Sequence, residues 1–250
     1  MKELTKQIKE KSFHKVYLLT GDEPYLVLQA KHMLKNAMIK EGDTMNYAAF
    51  TDGKIDLNTL QELAFTYPFF SEKRLLLLDG TGILKTGKDE FVSIMENMPE
   101  TTCIIVCEPE VDKRSKVYKW IKKNGYVGEF LKKNQTEKVL LRWIAALLGK
   151  EKKQIRENNA RYFLQKTGDD MFQIKNEIDK LIAYAGDREE ITQADIDAVA
   201  SGEVQDKIFD SVDAIARRNK AAALSYYNDL ILLKEPPMHI LFLIVRQYRI

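Results

Sequence analysis

Over the first half of the chain, short unbroken apolar runs alternate with longer stretches in which apolar positions recur at helical spacing. The run "KVYLLTG" (15–21) predicts a strand ending at Gly21. "DEPYLVLQAKHMLKNAMIKEG" then places Leu26, Ala30, Met33, Leu34 and Ala37 on one helical face, with Asp22 as N-cap, Pro24 in the first turn and Gly42 at the far end. "MNYAAF" (45–50) predicts a second strand. Asp56 can cap a helix through "LNTLQELAFT", where Leu57, Leu60, Leu63 and Ala64 share a face and Pro68 follows the end. "KRLLLLDG" (73–80) has no polar alternation, as suits a strand covered on both faces. A helix near 87–97, a strand at "TTCIIVCEP", a helix at "RSKVYKWIKKNG" closed by Gly125 and a strand at "GYVGEFLK" complete the series. Strand and helix in alternation predict a doubly wound, mainly parallel αβα sheet domain over residues 1–133.

After residue 134 the strand pattern stops. "TEKVLLRWIAALLGK", "RENNARYFLQKTG", "DMFQIKNEIDKLIAYAG" and "TQADIDAVAS" read as helices, with Asp170 and Thr192 as N-caps and Gly149, Gly168 and Gly186 as stops. They form an all-α domain over 134–203. A third block, 204–250, contains "KIFDSVDAIARR", "KAAALSYYNDLILLK" and "PPMHILFLIVRQYRI", the last opened by a double proline. That helix carries Ile240, Leu241, Leu243, Ile244 and Val245 and is still apolar at Ile250, so it predicts a block truncated there or a segment that packs in an assembly.

Bulk composition narrows the chemistry. The 250 residues are 45% hydrophobic and 30% charged, an ordinary globular balance. No apolar run approaches the roughly 18–20 residues a membrane span needs, and the polar start "MKELTKQIKEKSFHK" has no signal-peptide core, so a cytoplasmic protein without membrane contact is expected. Cys103 and Cys107 lie four apart in an apolar run, and His14, His32 and His239 are scattered. Buried thiols fit this pattern better than a zinc site, and no metal is expected. Formal net charge is only +2, yet Lys113–Arg156 holds fourteen Lys/Arg against three Glu. Such asymmetry marks either a face for nucleic acid or an acidic partner, or a solvated helix surface.

A parallel sheet followed by two helical blocks suggests an AAA+-like architecture, which raises the question of phosphate chemistry. A phosphate-binding loop has the form G-x-x-x-x-G-K-[ST] after the first strand. Here "GDEPYLVL" begins at Gly21, but Leu26, Val27 and Leu28 stand where the second glycine, the lysine and the hydroxyl belong. Asp22 and Glu23 add negative charge where phosphate would sit. "LLLLD" supplies Asp79, but Gly80 follows in place of an acid that would polarise water; a turn residue is the simpler reading of Asp79 than a metal ligand.

The segments "VYLLTGDEPYLVLQA", "YPFFSEKRLLLLDG", "EPEVDKRSKVYKW", "GDDMFQIKNEIDKLIAYAG", "ITQADIDAVAS" and "KIFDSVDAIARRNKAAAL", in order along the whole chain, resemble the delta subunit of the bacterial DNA polymerase III clamp loader. That resemblance implies an inactive AAA+-like module with a degenerate phosphate loop (Gly21, Leu26, Val27, Leu28), a helical lid over 134–203 and part of a helical collar over 204–250. The family continues for several helices past the equivalent of Ile250. Implied partners are the sliding clamp (beta ring), the delta prime and ATPase motor subunits of a circular pentamer, and primer–template DNA within the assembly. In the family this subunit holds one clamp interface open and does not hydrolyse ATP, so no cofactor and no intrinsic catalysis is expected. It is a component of a holoenzyme classed as a DNA-directed DNA polymerase, a nucleotidyltransferase.

The family's clamp contact is an apolar pair after the helix that precedes the third strand, and Phe69 and Phe70, after Pro68, align with it. The family often has a small or polar residue at Pro68 and then Leu-Phe; Phe-Phe alters the shape offered to the clamp pocket. Residue type alone favours a core position for both phenylalanines; yet two adjacent aromatics at a corner do not both turn easily into one core, whereas either could anchor in a partner's pocket. Lys113, Arg114, Lys116, Lys119 and Lys123 are candidate DNA contacts, with a solvated face as the alternative. The competing functional readings are a nucleotide-dependent switch, against which "GDEPYLVL" speaks, and a basic DNA-binding protein without clamp activity.

Overall fold

The computed structural model describes residues 1–51, 53, 55–85, 88–200, 203–232 and 236–248. Ser201, Leu233, Lys234 and Ile250, and the side chains of His239 and Leu243, lie outside the described residues. The chain divides into two compact units, Met1–Asn134 and Gln135–Ile250.

In the first unit the order is α1 (Lys2–Lys9), β1 (Val16–Thr20), α2 (Pro24–Met38), β2 (Tyr47–Thr51), α3 (Leu57–Phe65), β3 (Arg74–Asp79), α4 (Lys88–Asn97), β4 (Thr102–Glu108), α5 (Lys116–Asn124) and β5 (Tyr126–Glu129), then a 3-10 turn at Lys132–Asn134. The five strands form one parallel sheet in the order β2-β3-β4-β1-β5. Because strand side chains alternate, the four leucines of β3 divide between two cores. Leu76 and Leu78 join Val16, Leu18, Ile104 and Val106 under α3, α4 and α5. Leu75 and Leu77 join Tyr17, Leu19, Ile105 and both cysteines under α1 and α2. Each fully buried leucine contributes about 1.5–3 kcal/mol, which is why an unbroken apolar run is stable here. Burial pushes both thiols up to about 12, where they are inert.

One cap differs from expectation. Glu23, not Asp22, caps α2, its buried carboxylate accepting from the Tyr25 N–H at 3.3 Å. Asp22 instead accepts from the Lys132 N–H at 2.8 Å.

The second unit contains α6 (Glu137–Lys150), β6 (Gln154–Ile155), α7 (Glu157–Thr167), α8 (Met171–Ala185), β7 (Glu190–Ile191), α9 (Gln193–Val199), α10 (Glu203–Ala216), α11 (Lys220–Leu232) and α12 (Pro237–Tyr248). It is not purely helical: β6 and β7 form a two-residue parallel pair, too short to leave a periodic signature in sequence. Lys153, itself buried, donates to the carbonyls of Gly186 and Arg188 beside that pair. Gly149 does not stop α6, which runs one residue further to Lys150. Gly168 and Gly186 do end α7 and α8, with φ of 78° and 54°. Ile208, Leu230 and Ile240 are buried together where α10, α11 and α12 meet.

Candidate functional site

The aromatic corner follows from local rules. The Asp56 carboxylate accepts from the Thr59 N–H at 2.9 Å and opens α3, which buries Leu60 and Ala64 against the sheet. The helix ends at Phe65, with Thr66 already extended, and the half-buried Pro68 cannot continue it. Phe69 and Phe70 then stand 58% and 91% exposed, with ring centroids 4.4 Å apart at 75°. Tyr67 and Met45 are also exposed. Phe70 has φ +49°, a left-handed conformation that costs a bulky side chain about 1–2 kcal/mol. All of this lies before the first residue of β3, at the amino ends of the parallel strands.

At the opposite, carboxyl end of the sheet, the groups that could meet a phosphate are already engaged. Gly21 has φ +123°, and a Cβ there would fall 1.9 Å from the Phe130 carbonyl oxygen, so only glycine fits. The Gly21 N–H donates to Pro109 O at 3.3 Å and the Glu23 N–H to Phe130 O at 3.1 Å. Leu26 and Val27 pack partly against the α2-side core, and Leu28 is half-buried. Asp79 is paired with Lys31 Nζ at 2.6 Å, a contact that no sequence motif announced. Burial opposes the Lys31 charge, but Asp79 outweighs it and raises the ammonium's pKa. Glu108, buried at the end of β4, accepts from the Gly82 N–H at 2.7 Å, and burial raises its carboxyl.

The basic helix is capped by Ser115, which accepts from the Tyr118 N–H, and buries Val117 and Ile121. Three of its candidate DNA contacts are paired: Lys113 with Glu129 at 2.7 Å, Arg114 with Asp112 at 3.2 Å and Lys116 with Asp89 at 3.0 Å. Lys119 and Lys123 have no acidic partner among the described residues and line a groove of about 680 Å³ between α4 and α5 with Lys15 and Trp120. Trp120 donates its indole N–H to Glu96 at 2.9 Å. Among the described residues no group of three or more His, Cys, Asp or Glu could hold a metal, and no helix is long and apolar enough to cross a membrane.

The corner is supported by a residue that no sequence motif marks. Asn46, just before β2, receives the Phe69 N–H on Oδ1 at 2.6 Å and donates Nδ2 to Phe69 O at 2.9 Å. The sequence cue is faint: Asp43 and Asn46 are turn-forming residues three apart between a helix and a strand.

A wound parallel sheet with an exposed aromatic corner, followed by a mainly helical unit, defines a mixed α/β protein. Two family models match in chain order: "DNA polymerase III, delta subunit" over residues 17–130, and "DNA polymerase III delta subunit, C-terminal domain" over 205–250. The chain belongs to the DNA polymerase III delta subunit family. It is 28% identical to DNA polymerase III subunit delta of Bacillus subtilis over 98% of this chain and 74% of that one. It is 25% identical to the probable DNA polymerase III subunit delta of Aquifex aeolicus over 91% and 67%. Among solved structures, the Bacillus subtilis DNA clamp loader delta protein superposes with a TM-score of 0.66 at 25% identity, covering 99% of this chain and 76% of that one.

Proposed function

We propose that this chain is the non-catalytic clamp-loader subunit that binds the sliding clamp through Phe69 and Phe70 and holds its ring open during DNA replication. The observation that carries the reading is Phe70, 91% exposed and held in a strained conformation. An edge contact with Phe69 does not exceed the strain of an exposed aromatic in this conformation, so the arrangement points to a partner's pocket. Phe69, at its edge, enlarges the apolar knob, and Pro68, just past the end of α3, keeps the helix from continuing into it.

In the same reading the first unit is an AAA+-like module with a degenerate phosphate loop, residues 134–203 are a lid and 204–250 belong to a collar that meets delta prime and the motor subunits. ATP hydrolysis then falls to those partners, in the cytoplasm. Primer–template DNA, if it meets α5, meets Lys119 and Lys123 first, because Lys113, Arg114 and Lys116 would have to release their acids.

The test is binding of this chain to the purified cognate clamp, beside a Phe69→Ala/Phe70→Ala variant with an unchanged melting profile. Interface anchors contribute about 2 kcal/mol or more each, so the variant should bind at least about 30-fold more weakly. Equal binding by both would move the contact elsewhere. Salt-sensitive DNA binding by the isolated chain, with no clamp binding, would favour the plain DNA-binding alternative.

A further inference from the structure

We propose that Asn46 is the positioning residue of the aromatic corner, and that Asp43 sets the direction in which Asn46 acts. The inference rests on the reading of Phe69 and Phe70 as the clamp contact, and it names what holds them.

Asn46 is 2% exposed, so its carboxamide cannot exchange its partners for water at low cost. Both of its ends are spent on one residue 23 positions away: Oδ1 on the Phe69 N–H at 2.6 Å, Nδ2 on the Phe69 carbonyl at 2.9 Å. Engaging both backbone groups of one residue fixes its φ and ψ together, much as a neighbouring strand would. The next residue is Phe70, whose φ of +49° persists only where the surrounding structure dictates it. Pro68 restrains the chain on one side of Phe69 and the Asn46 clasp fixes Phe69 itself, so Phe70 is delivered into its strained, exposed position.

Asp43 removes the ambiguity of an amide, whose oxygen and nitrogen have nearly the same shape. Its Oδ2 accepts from Asn46 Nδ2 at 2.7 Å, and its Oδ1 accepts from the N–H groups of Met45 and Asn46, each at 3.0 Å. A carboxylate only accepts, so it forces the NH2 toward itself and toward the Phe69 carbonyl, leaving Oδ1 for the Phe69 N–H. The Asn46 main-chain carbonyl meanwhile accepts from the Leu75 N–H at 2.8 Å, tying the clasp to the β2–β3 register. The corner is therefore built on the sheet rather than on a free loop, which lowers the ordering cost of binding.

Two readouts on the full chain test this separately from the clamp reading. In the free chain, exchange of the Phe69 amide should be protected, and Asn46→Ala should abolish that protection while leaving the amides of β3 protected. In clamp binding, Asn46→Ala and Asn46→Asp should each weaken affinity about tenfold, the aspartate because it brings a carboxylate against Asp43 and the Phe69 carbonyl. Combined with Phe69→Ala/Phe70→Ala, Asn46→Ala should add no further loss, since there is nothing left to position. Should Asn46→Ala fail to fold, Asp43→Ala frees the amide without emptying a buried site and should weaken binding by about two- to fivefold. An unprotected Phe69 amide, or an Asn46→Ala loss that adds fully to that of the aromatic pair, overturns the proposal. If removing the two phenylalanines changes nothing, the clamp reading fails instead, and the exchange result alone decides whether Asn46 holds the corner.

Discussion

At Phe70, conformation and contact pull in opposite directions. A left-handed φ of +49° costs a phenylalanine about 1–2 kcal/mol, and its ring recovers only an edge contact with Phe69, worth about 0.5–1.5 kcal/mol. Phe70→Gly would remove the strain and the edge contact together and add unfolded-state freedom of about 0.5–1 kcal/mol. We expect stability within about 1 kcal/mol of the parent in denaturant unfolding, alongside a clamp affinity lowered by at least about tenfold. A loss of more than about 2 kcal/mol in the free chain would mean that the ring is packed before any partner arrives. Residue type alone would place both phenylalanines in a core; it was the family resemblance, together with the difficulty of turning two adjacent aromatics at a proline-marked corner into one core, that singled the pair out. Neither gave access to the strain, which is a backbone angle, or to Asn46, which reaches the corner only once β2 and β3 are paired.

Among the elements, α9 shows how a terminus can be read from sequence while its energetics are set by tertiary neighbours. Thr192, read from sequence as the N-cap, forms a reciprocal capping box with Asp195 in the structure. Arg188, from the turn after α8, adds a two-pronged ion pair to the same carboxylate at 2.8 and 3.1 Å. That guanidinium, opposed by burial and helped by the Thr192 N–H and hydroxyl, holds the Asp195 carboxyl at about 2, below the ordinary carboxylate value of 3.8. A depressed carboxyl stabilises the fold above its unfolded pKa and loses that contribution as pH falls from about 4 toward 2. With Arg188 half-exposed and screened, the contribution is about 1–2 kcal/mol, roughly half of it lost between pH 5 and pH 3. Exchange protection of the α9 amides should fall accordingly over that interval. Asp195→Asn should show lower protection at pH 5 and a smaller further fall, the remainder coming from Asp197, whose carboxyl Tyr162 and Lys166 also hold below its ordinary value; an identical pH response in both proteins would mean that Asp195 contributes nothing. Strands of the sheet were legible for the opposite reason, since runs such as "RLLLLD" are buried on both faces whatever their neighbours. The β6–β7 pair was not, because two residues carry no period.

Across the whole chain, both family models fall on segments that follow one another in order, and within the first unit the aromatic corner and the turn after β1 lie at opposite ends of a single sheet. Open parallel sheets place ligands at the carboxyl ends of their strands. Here that end is occupied by the protein's own groups: the Gly21 and Glu23 N–H donors on main-chain carbonyls, Asp79 on Lys31, and Glu108 on the Gly82 N–H. A nucleotide would have to displace these bonds, meet the added charge of Asp22 and Glu23, and do so without a lysine at Val27 or a hydroxyl at Leu28. A ligand present at a hundred times its dissociation constant adds about 2.7 kcal/mol of stability, or roughly 5–10 °C of melting temperature in a chain of this size. Millimolar ATP with magnesium should therefore leave the melting temperature unchanged within about 1 °C, whereas the purified clamp, added in the same assay, should shift the melting of the unit that carries the aromatic corner. A shift of several degrees with ATP would mean that the Gly21 turn opens to admit phosphate, returning the chain to the nucleotide-dependent switches. If the clamp shifts melting of the parent but not of the Phe69→Ala/Phe70→Ala variant, and ATP shifts neither, the amino-end corner is the working surface of a sheet whose carboxyl end closes on itself.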